Sequence, residues 1–183
     1  MSRVQTNNDP ELLQSKIEIR LFNLPKKSTL NILDAFAGEG ILWGRIKISK
    51  PKINFRILHI DKNTNSGLKG NNLKFLPTLD LSKFDIIDLD AYGSPFDQLE
   101  IIFNKKYKGI IHCTFIQSMY GGMNKKLLNY LGYTDKMIDK IPSLFNKKGV
   151  DKFYNYLWLR GIKVVNCVQH KRKNYITFKT NGK

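Results

Sequence analysis

Four short apolar runs constrain this chain more than any other feature: NILDAF (31–36), FRILHID (55–61), FDIIDL (84–89) and KGIIHCTFI (108–116). Each has the length of a strand and too little polarity for one that faces water, the pattern of parallel strands buried on both faces. Helical-period segments lie between them, ILWGRIKI after the first run and SPFDQLEIIFNKK (94–106) after the third. Strand alternating with helix predicts an α/β fold with a mostly parallel sheet and helices on both faces.

The remaining segments fit around that frame. NSGLKGNNLKFL (65–76) is expected to hold a short helix and then a minor strand, and GGMNKKLLNYLGY a loop and a helix. GVDKFYNYLWLRG (149–161) has an amphipathic helical pattern ending at Gly161. IKVVNCVQH and YITFKT, joined by the basic KRKN, read as a C-terminal antiparallel hairpin. Upstream, a helix is predicted from about Pro10 to Leu21, with Asp9 as its cap and Pro10 in its first turn.

At 183 residues the chain suits one sizeable core, so a single domain over 1–183 is expected, with 1–28 as an N-terminal lead-in and 29–180 as the core. No apolar stretch approaches the roughly 20 residues that span a bilayer. The opening MSRVQTNNDPELLQSK has no hydrophobic signal region, so a cytoplasmic protein without a membrane partner is expected. Cys113 and Cys167 each fall in an apparent strand without metal-ligand spacing and are expected to be buried free thiols. His59, His112 and His170 have no metal spacing either, so no metal is expected.

Charge narrows the class of partner. The chain carries 31 Lys and Arg against 15 Asp and Glu, a net +16 that favours contact with a polyanion, above all nucleic acid. Candidate phosphate contacts are Lys26/Lys27, Lys105/Lys106, Lys125/Lys126, Lys147/Lys148 and Lys171/Arg172/Lys173, interleaved with Tyr120, Tyr130, Tyr133, Tyr154 and Tyr175.

The turn after the first run carries chemistry. AGEG between strand and helix brings backbone close to a ligand, and the helix N-terminus adds a positive dipole end. Asp61, at the end of the next strand and roughly 20 residues beyond Gly40, is placed to accept ribose hydroxyls, so a nucleoside-containing ligand is expected. A nicotinamide cofactor is disfavoured, because position 43 is Trp where a third glycine would stand.

LDAFAGEG resembles the first motif of class I S-adenosylmethionine-dependent methyltransferases, a D-x-x-x-G-x-G turn. The resemblance implies S-adenosyl-L-methionine as cofactor, with Asp34, Phe36, Gly38 and Gly40 around its methionine part. HIDKN resembles the second motif and implies Asp61 on the ribose. The likeness extends to the hairpin, spanning roughly 29–180, and implies the Rossmann-like fold of those enzymes with a seven-stranded sheet. An adenine contact is implied at Asn71 or Asn72, with Asp80 a further candidate; the asparagines read equally as turn formers.

FDIIDLDAYGSP gathers Asp85, Asp88 and Asp90 into one strand and its end. Asp85 and Asp88 read as support for the strand, since a charged side chain inside it must find donors. Asp90 stands at the carboxyl end, where open parallel sheets bind ligands. DAYGSP resembles the fourth motif of amino-methylating enzymes, and within them the D-P-[YF]-G-S-P of tRNA guanine-N2 dimethyltransferases, with Ala91 in place of proline. An exocyclic base nitrogen is a poor nucleophile, so it needs an acceptor for its N–H. That role falls to Asp90, with the Ala91 carbonyl for the second hydrogen and Tyr92 as a stacking face.

The expected function is therefore an S-adenosylmethionine-dependent N-methyltransferase acting on an exocyclic amine of a nucleic-acid base. RNA of tRNA type is preferred over DNA. The alternatives are a DNA amino-methyltransferase, a non-catalytic, methyltransferase-like nucleic-acid-binding module or subunit, and methylation of a protein side chain or a small molecule. No target-recognition segment stands out, so recognition is expected to fall to loops, the N-terminal segment, basic turns or a protein partner. TFIQSMYGGMN (114–124) is expected to form a further rim of the site.

Overall fold

A computed structural model describes residues 10–64, 66–116, 123–141, 148–170 and 172–182. In chain order its elements are α1 (Pro10–Phe22), β1 (Thr29–Asp34), α2 (Ile41–Ser49), β2 (Asn54–Asp61), β3 (Leu68–Lys69), α3 (Asn72–Phe75), β4 (Ile86–Leu89), α4 (Phe96–Asn104), β5 (Lys108–Ile116), α5 (Lys125–Tyr130), α6 (Asp135–Lys140), α7 (Gly149–Leu159), β6 (Val165–His170) and β7 (Lys173–Asn181). The strands form one seven-stranded sheet in the order β3-β2-β1-β4-β5-β7-β6. β3, β2, β1, β4 and β5 are parallel; β7 runs antiparallel between β5 and β6. This is the Rossmann-like methyltransferase fold, and the C-terminal hairpin lies where the sequence places it.

Between β2 and α3 the structure corrects the expected order, because the minor strand precedes the short helix. Gly67 permits that arrangement: a Cβ there would stand 2.3 Å from the His59 carbonyl oxygen, so only glycine lets the chain lie this close to β2. Cys113 is buried, but Cys167 is exposed on β6, the edge strand of the sheet. Asp9 lies outside the described residues.

Alternation along the central strands divides the interior. Leu33, Ile87, Leu89, Ile111, Cys113 and Phe115 face α4, α5 and α7 in the larger core. Leu30, Ile32, Phe55 and Ile86 face the other way and pack on Ile17 of α1 and on Trp43 and Ile46 of α2. On this second face a polar row crosses the sheet in register: His59, Asp34, Asp88, His112, Thr177 and Asn166 are successive neighbours.

Asp88 lies at the middle of that row with no solvent exposure. Arg20 reaches down from α1 and donates to both of its oxygens, Nε to Oδ2 at 2.6 Å and Nη2 to Oδ1 at 2.7 Å. Trp43 Nε1 of α2 donates to Oδ2 at 2.8 Å. Two helices are thus bolted to one carboxylate. Asp85 supports the strand as well, accepting from the Asn31 backbone N–H and from Lys27.

Arg20→Leu leaves the Asp88 charge buried with only the indole N–H, and is expected to cost about 3–5 kcal/mol in denaturant unfolding. Replacing both residues with leucine is expected to recover most of that loss, because no charge then remains unpaired. An Arg20→Leu loss under 1 kcal/mol would refute this account.

Candidate active site

At the carboxyl end of β1 the chain turns through Gly38 (φ 53°) and Gly40 (φ 74°) before α2 begins. Both angles lie in the left-handed region that side chains disfavour. A Cβ on Gly38 would meet nothing within 4 Å, so the turn leaves open space above it. The Gly38 N–H donates to Asp61 Oδ2 at 3.0 Å, and the Asn63 N–H donates to Oδ1 at 2.9 Å. The glycine turn and the Asp61 carboxylate therefore meet. Each oxygen keeps a further lone pair for a hydroxyl donor.

Asp34 closes the floor. It is 4% exposed, lies 3.2 Å from His59 Nδ1 and neighbours Asp88 in register. Burial pushes its pKa up to about 6; the repulsion of Asp88 and Asp90 adds to the rise, and the contact with His59 opposes it. Phe36, partly buried, packs against the larger core.

The two asparagines separate into distinct roles. Asn71 caps α3, its Oδ1 accepting from the Leu73 N–H. Asn72 is buried, donating to the Ala35 carbonyl at 2.7 Å and accepting from Gln98 at 2.9 Å. It ties the β1 turn to α4. Asp80 caps the turn of 3-10 helix at Leu81–Lys83.

Asp90 follows β4 immediately, and both of its oxygens have partners. Lys16 Nζ of α1 donates to Oδ2 at 2.6 Å, and Thr114 Oγ1 of β5 donates to Oδ1. Burial pushes the Asp90 carboxyl up, but Lys16, Arg20 and the Thr114 hydroxyl outweigh it and hold the group below the usual carboxylate range. Ala91 is buried and its N–H bonds the Leu89 carbonyl, making a tight turn. Tyr92 then projects outward with 80% of its surface exposed. Gly93 (φ 112°) lets its carbonyl accept from the Ile116 N–H, and Pro95 precedes the first residue of α4.

Asp90, Tyr92, Asp34 and the glycine turn thus share the carboxyl edge of β1 and β4. Lys16 and Arg20 were not among the sequence candidates, and Thr114 opens the segment expected as a rim. A signal for the first two existed: Lys16 and Arg20 are one helical turn apart, about 6 Å of rise, and Asp88 and Asp90 are two strand positions apart, close to the same length. Matched spacings of opposite charge mark elements that dock.

Other expectations fare less evenly. Tyr175, a candidate stacking ring, is 1% exposed and belongs to the packing of α1 on β7. Lys27, Lys125 and Lys126 pair with Asp85, Asp139 and Asp97. Lys147, Lys171, Tyr120 and residues 117–122 of the expected rim lie outside the described residues. Among the described residues no group of His, Cys, Asp or Glu could hold a metal ion, and no helix is long and apolar enough to cross a membrane. A cavity of about 580 Å³ lies at the other end of the sheet, where Lys106, Lys163 and Lys179 are among its lining. It is separate from the carboxylates at β1 and β4.

The chain matches no family model and no curated protein. Solved structures do resemble it. The precorrin-6y C5,15-methyltransferase of Geobacter metallireducens aligns at a TM-score of 0.56 and 13% identity, over 99% of this chain and 94% of that one. An O-methyltransferase family protein of Burkholderia thailandensis aligns at 0.54 and 13% identity, over 93% of this chain and 55% of that one. The CurJ carbon methyltransferase aligns at 0.50 and 12% identity, over 90% and 54%. At such identities the likeness establishes a shared fold.

The folded chain holds the Asp34 proton up to about pH 6, against an ordinary value of 3.8. Its burial therefore favours folding fully below about pH 4, and that contribution is lost as pH rises through about 6. Asp34→Asn is expected to stabilise the chain at pH 7.5 and to leave it unchanged at pH 4, measured by urea unfolding at both. An equal effect at the two pH values would refute the assignment.

Proposed function

We propose that the chain is an S-adenosylmethionine-dependent methyltransferase acting on an exocyclic amine of a nucleic-acid base, with RNA of tRNA type as the preferred substrate. The cofactor reading is supported by the open space above Gly38 and by the Asp61 carboxylate against the turn. Asp61 would hold the ribose hydroxyls, and Gly38 and Gly40 would line the methionine part. Asp34 lies beneath this site, and Asn71 at the start of α3 is nearer an adenine role than Asn72, whose amide is already bonded at both ends. When bound, the cofactor supplies the electrophilic methyl group.

The observation that carries the acceptor side is the carboxylate of Asp90 beside an exposed tyrosine at the end of β4. A carboxylate held ionised accepts the acceptor amine's N–H and disperses the positive charge that develops on nitrogen. Tyr92, with 80% of its surface exposed, offers a ring on which a base stacks. The Ala91 carbonyl is the candidate acceptor for the second hydrogen. The named structural neighbours are O- and C-methyltransferases. The amine target rests on Asp90 to Pro95 and their likeness to the fourth motif of amino-methylating enzymes, and the preference for nucleic acid rests on the net charge of +16.

Methyl transfer is to be measured with labelled cofactor on separate RNA and DNA pools, followed by mass spectrometry of the nucleosides. Label on an exocyclic amine of RNA is the expected outcome, and Asp90→Asn is expected to lower kcat by about 10²–10³ while cofactor affinity stays within about threefold. Label on DNA alone would favour the DNA amino-methyltransferase. Cofactor binding with no label in either pool would count against nucleic-acid methylation and favour the binding module.

A further inference from the structure

Lys16 and Asp90 are 74 positions apart in the chain and 2.6 Å apart in space. Their side chains keep 24% and 17% of their surface exposed, so the pair stands at the mouth of the site. The Lys16 ammonium also lies 5.5 Å from the ring centroid of Tyr175, which is buried beneath it. One turn on, Arg20 anchors the helix to Asp88, and its Nη1 donates back to the Lys16 carbonyl at 3.0 Å. Lys16 is held by its helix, by a ring and by the carboxylate.

Opposite it, Thr114 on β5 donates to the other oxygen of Asp90. A carboxylate offers about four lone-pair sites, two on each oxygen, so these two donors fix its orientation and leave sites for an incoming N–H. The charges around Asp90 are Lys16 and Arg20 from α1, Asp34 from β1 and Asp88 on its own strand; Cys113 of β5 lies within electrostatic reach. Removing Lys16 leaves three carboxylates facing one guanidinium and the His59 ring.

We infer that Lys16 and Thr114 are positioning residues, clamping the Asp90 carboxylate in one orientation for the acceptor amine, and that α1 is thereby part of the active site. The inference rests on the reading of Asp90 as the acceptor-side carboxylate. Nothing in the contact makes Lys16 a methyl acceptor or a base: it is an ammonium bonded to its counter-charge.

The test uses the full chain, with Lys16→Met, Lys16→Arg and Thr114→Val beside the parent. Asp90 is followed by NMR of its ¹³C-labelled carboxyl, which needs no turnover. Its titration midpoint is expected to rise by about one pH unit or more in Lys16→Met and to return towards the parent in Lys16→Arg. In methyl-transfer assays, Lys16→Met is expected to lower kcat about 10- to 100-fold with KM for RNA within twofold, and to move the acidic limb of the kcat profile upward with the NMR midpoint. Thr114→Val is expected to lower kcat in the same direction.

An Asp90 midpoint unmoved in Lys16→Met overturns the clamp, whatever the chain methylates. A moved midpoint with unchanged kcat overturns the positioning role and leaves Lys16 structural. Faster turnover in Lys16→Met also overturns it, because Lys16 would then compete with the substrate. A parent chain that binds cofactor and methylates neither RNA nor DNA overturns the underlying reading of Asp90, a failure the NMR titration separates from failure of the clamp. Arg20 still anchors α1 in Lys16→Met, and Lys16→Arg provides the second variant should methionine disturb folding.

Discussion

Much of this structure depends on a guanidinium and a carboxylate that never meet water. Arg20 is 1% exposed and Asp88 is not exposed at all. Desolvating either alone would cost several kcal/mol, so the two are viable only together and only in a geometry that satisfies their hydrogen bonds. Three N–H donors reach the two Asp88 oxygens, and Arg20 uses a third nitrogen on the Lys16 carbonyl. The position of α1 along the sheet follows, because a shift by one helical position breaks the bidentate contact.

From that anchor the candidate site is assembled. α1 runs against the direction of β4, so the residue one turn before Arg20 comes level with the one two positions beyond Asp88. Lys16 is thereby delivered to Asp90. The same row places Asp34 beside Asp88, and burial, with the repulsion of Asp88 and Asp90 added, raises Asp34, whereas Lys16 and Arg20 outweigh burial at Asp90. Asp34 is pushed up to about 6, while Asp90, nearer the cations, is held low. Two acids of one type on one sheet edge acquire different protonation behaviour from their surroundings.

Local signals were legible where the chain uses short-range physics. The apolar runs gave β1, β2, β4 and β5, and the helical period gave α2, α4 and α7. Their alternation implied a parallel sheet, and the glycine turn with its spaced acid marked the carboxyl edge of β1 and β2. Misreadings occurred where contacts are non-local. NSGLKGNNLKFL was expected as helix then strand, and the close approach to His59 that Gly67 permits goes with the reverse order. Cys167 lies on a strand that turns out to be the sheet's edge, a matter of topology. Tyr175 resembles any tyrosine beside a basic turn until α1 covers it.

The sequence by itself determined the fold class, the glycine turn, Asp61 and the end of β4 as the place for Asp90 and Tyr92, because periodicity, turn chemistry and strand ends are written in neighbouring residues. The sequence also divided the acids into strand support and strand end; only the tertiary structure decided which partners hold each of them. It paired Asp88 with Arg20, Asp85 with Lys27, and Asp90 with Lys16 and Thr114. It also packed a segment read as a lead-in against the end of β4, through Lys16 and Arg20. The physical reason is that a buried charge is assigned its role by the partner that neutralises it, and here those partners come from 58 to 74 positions upstream for the lysines and arginine.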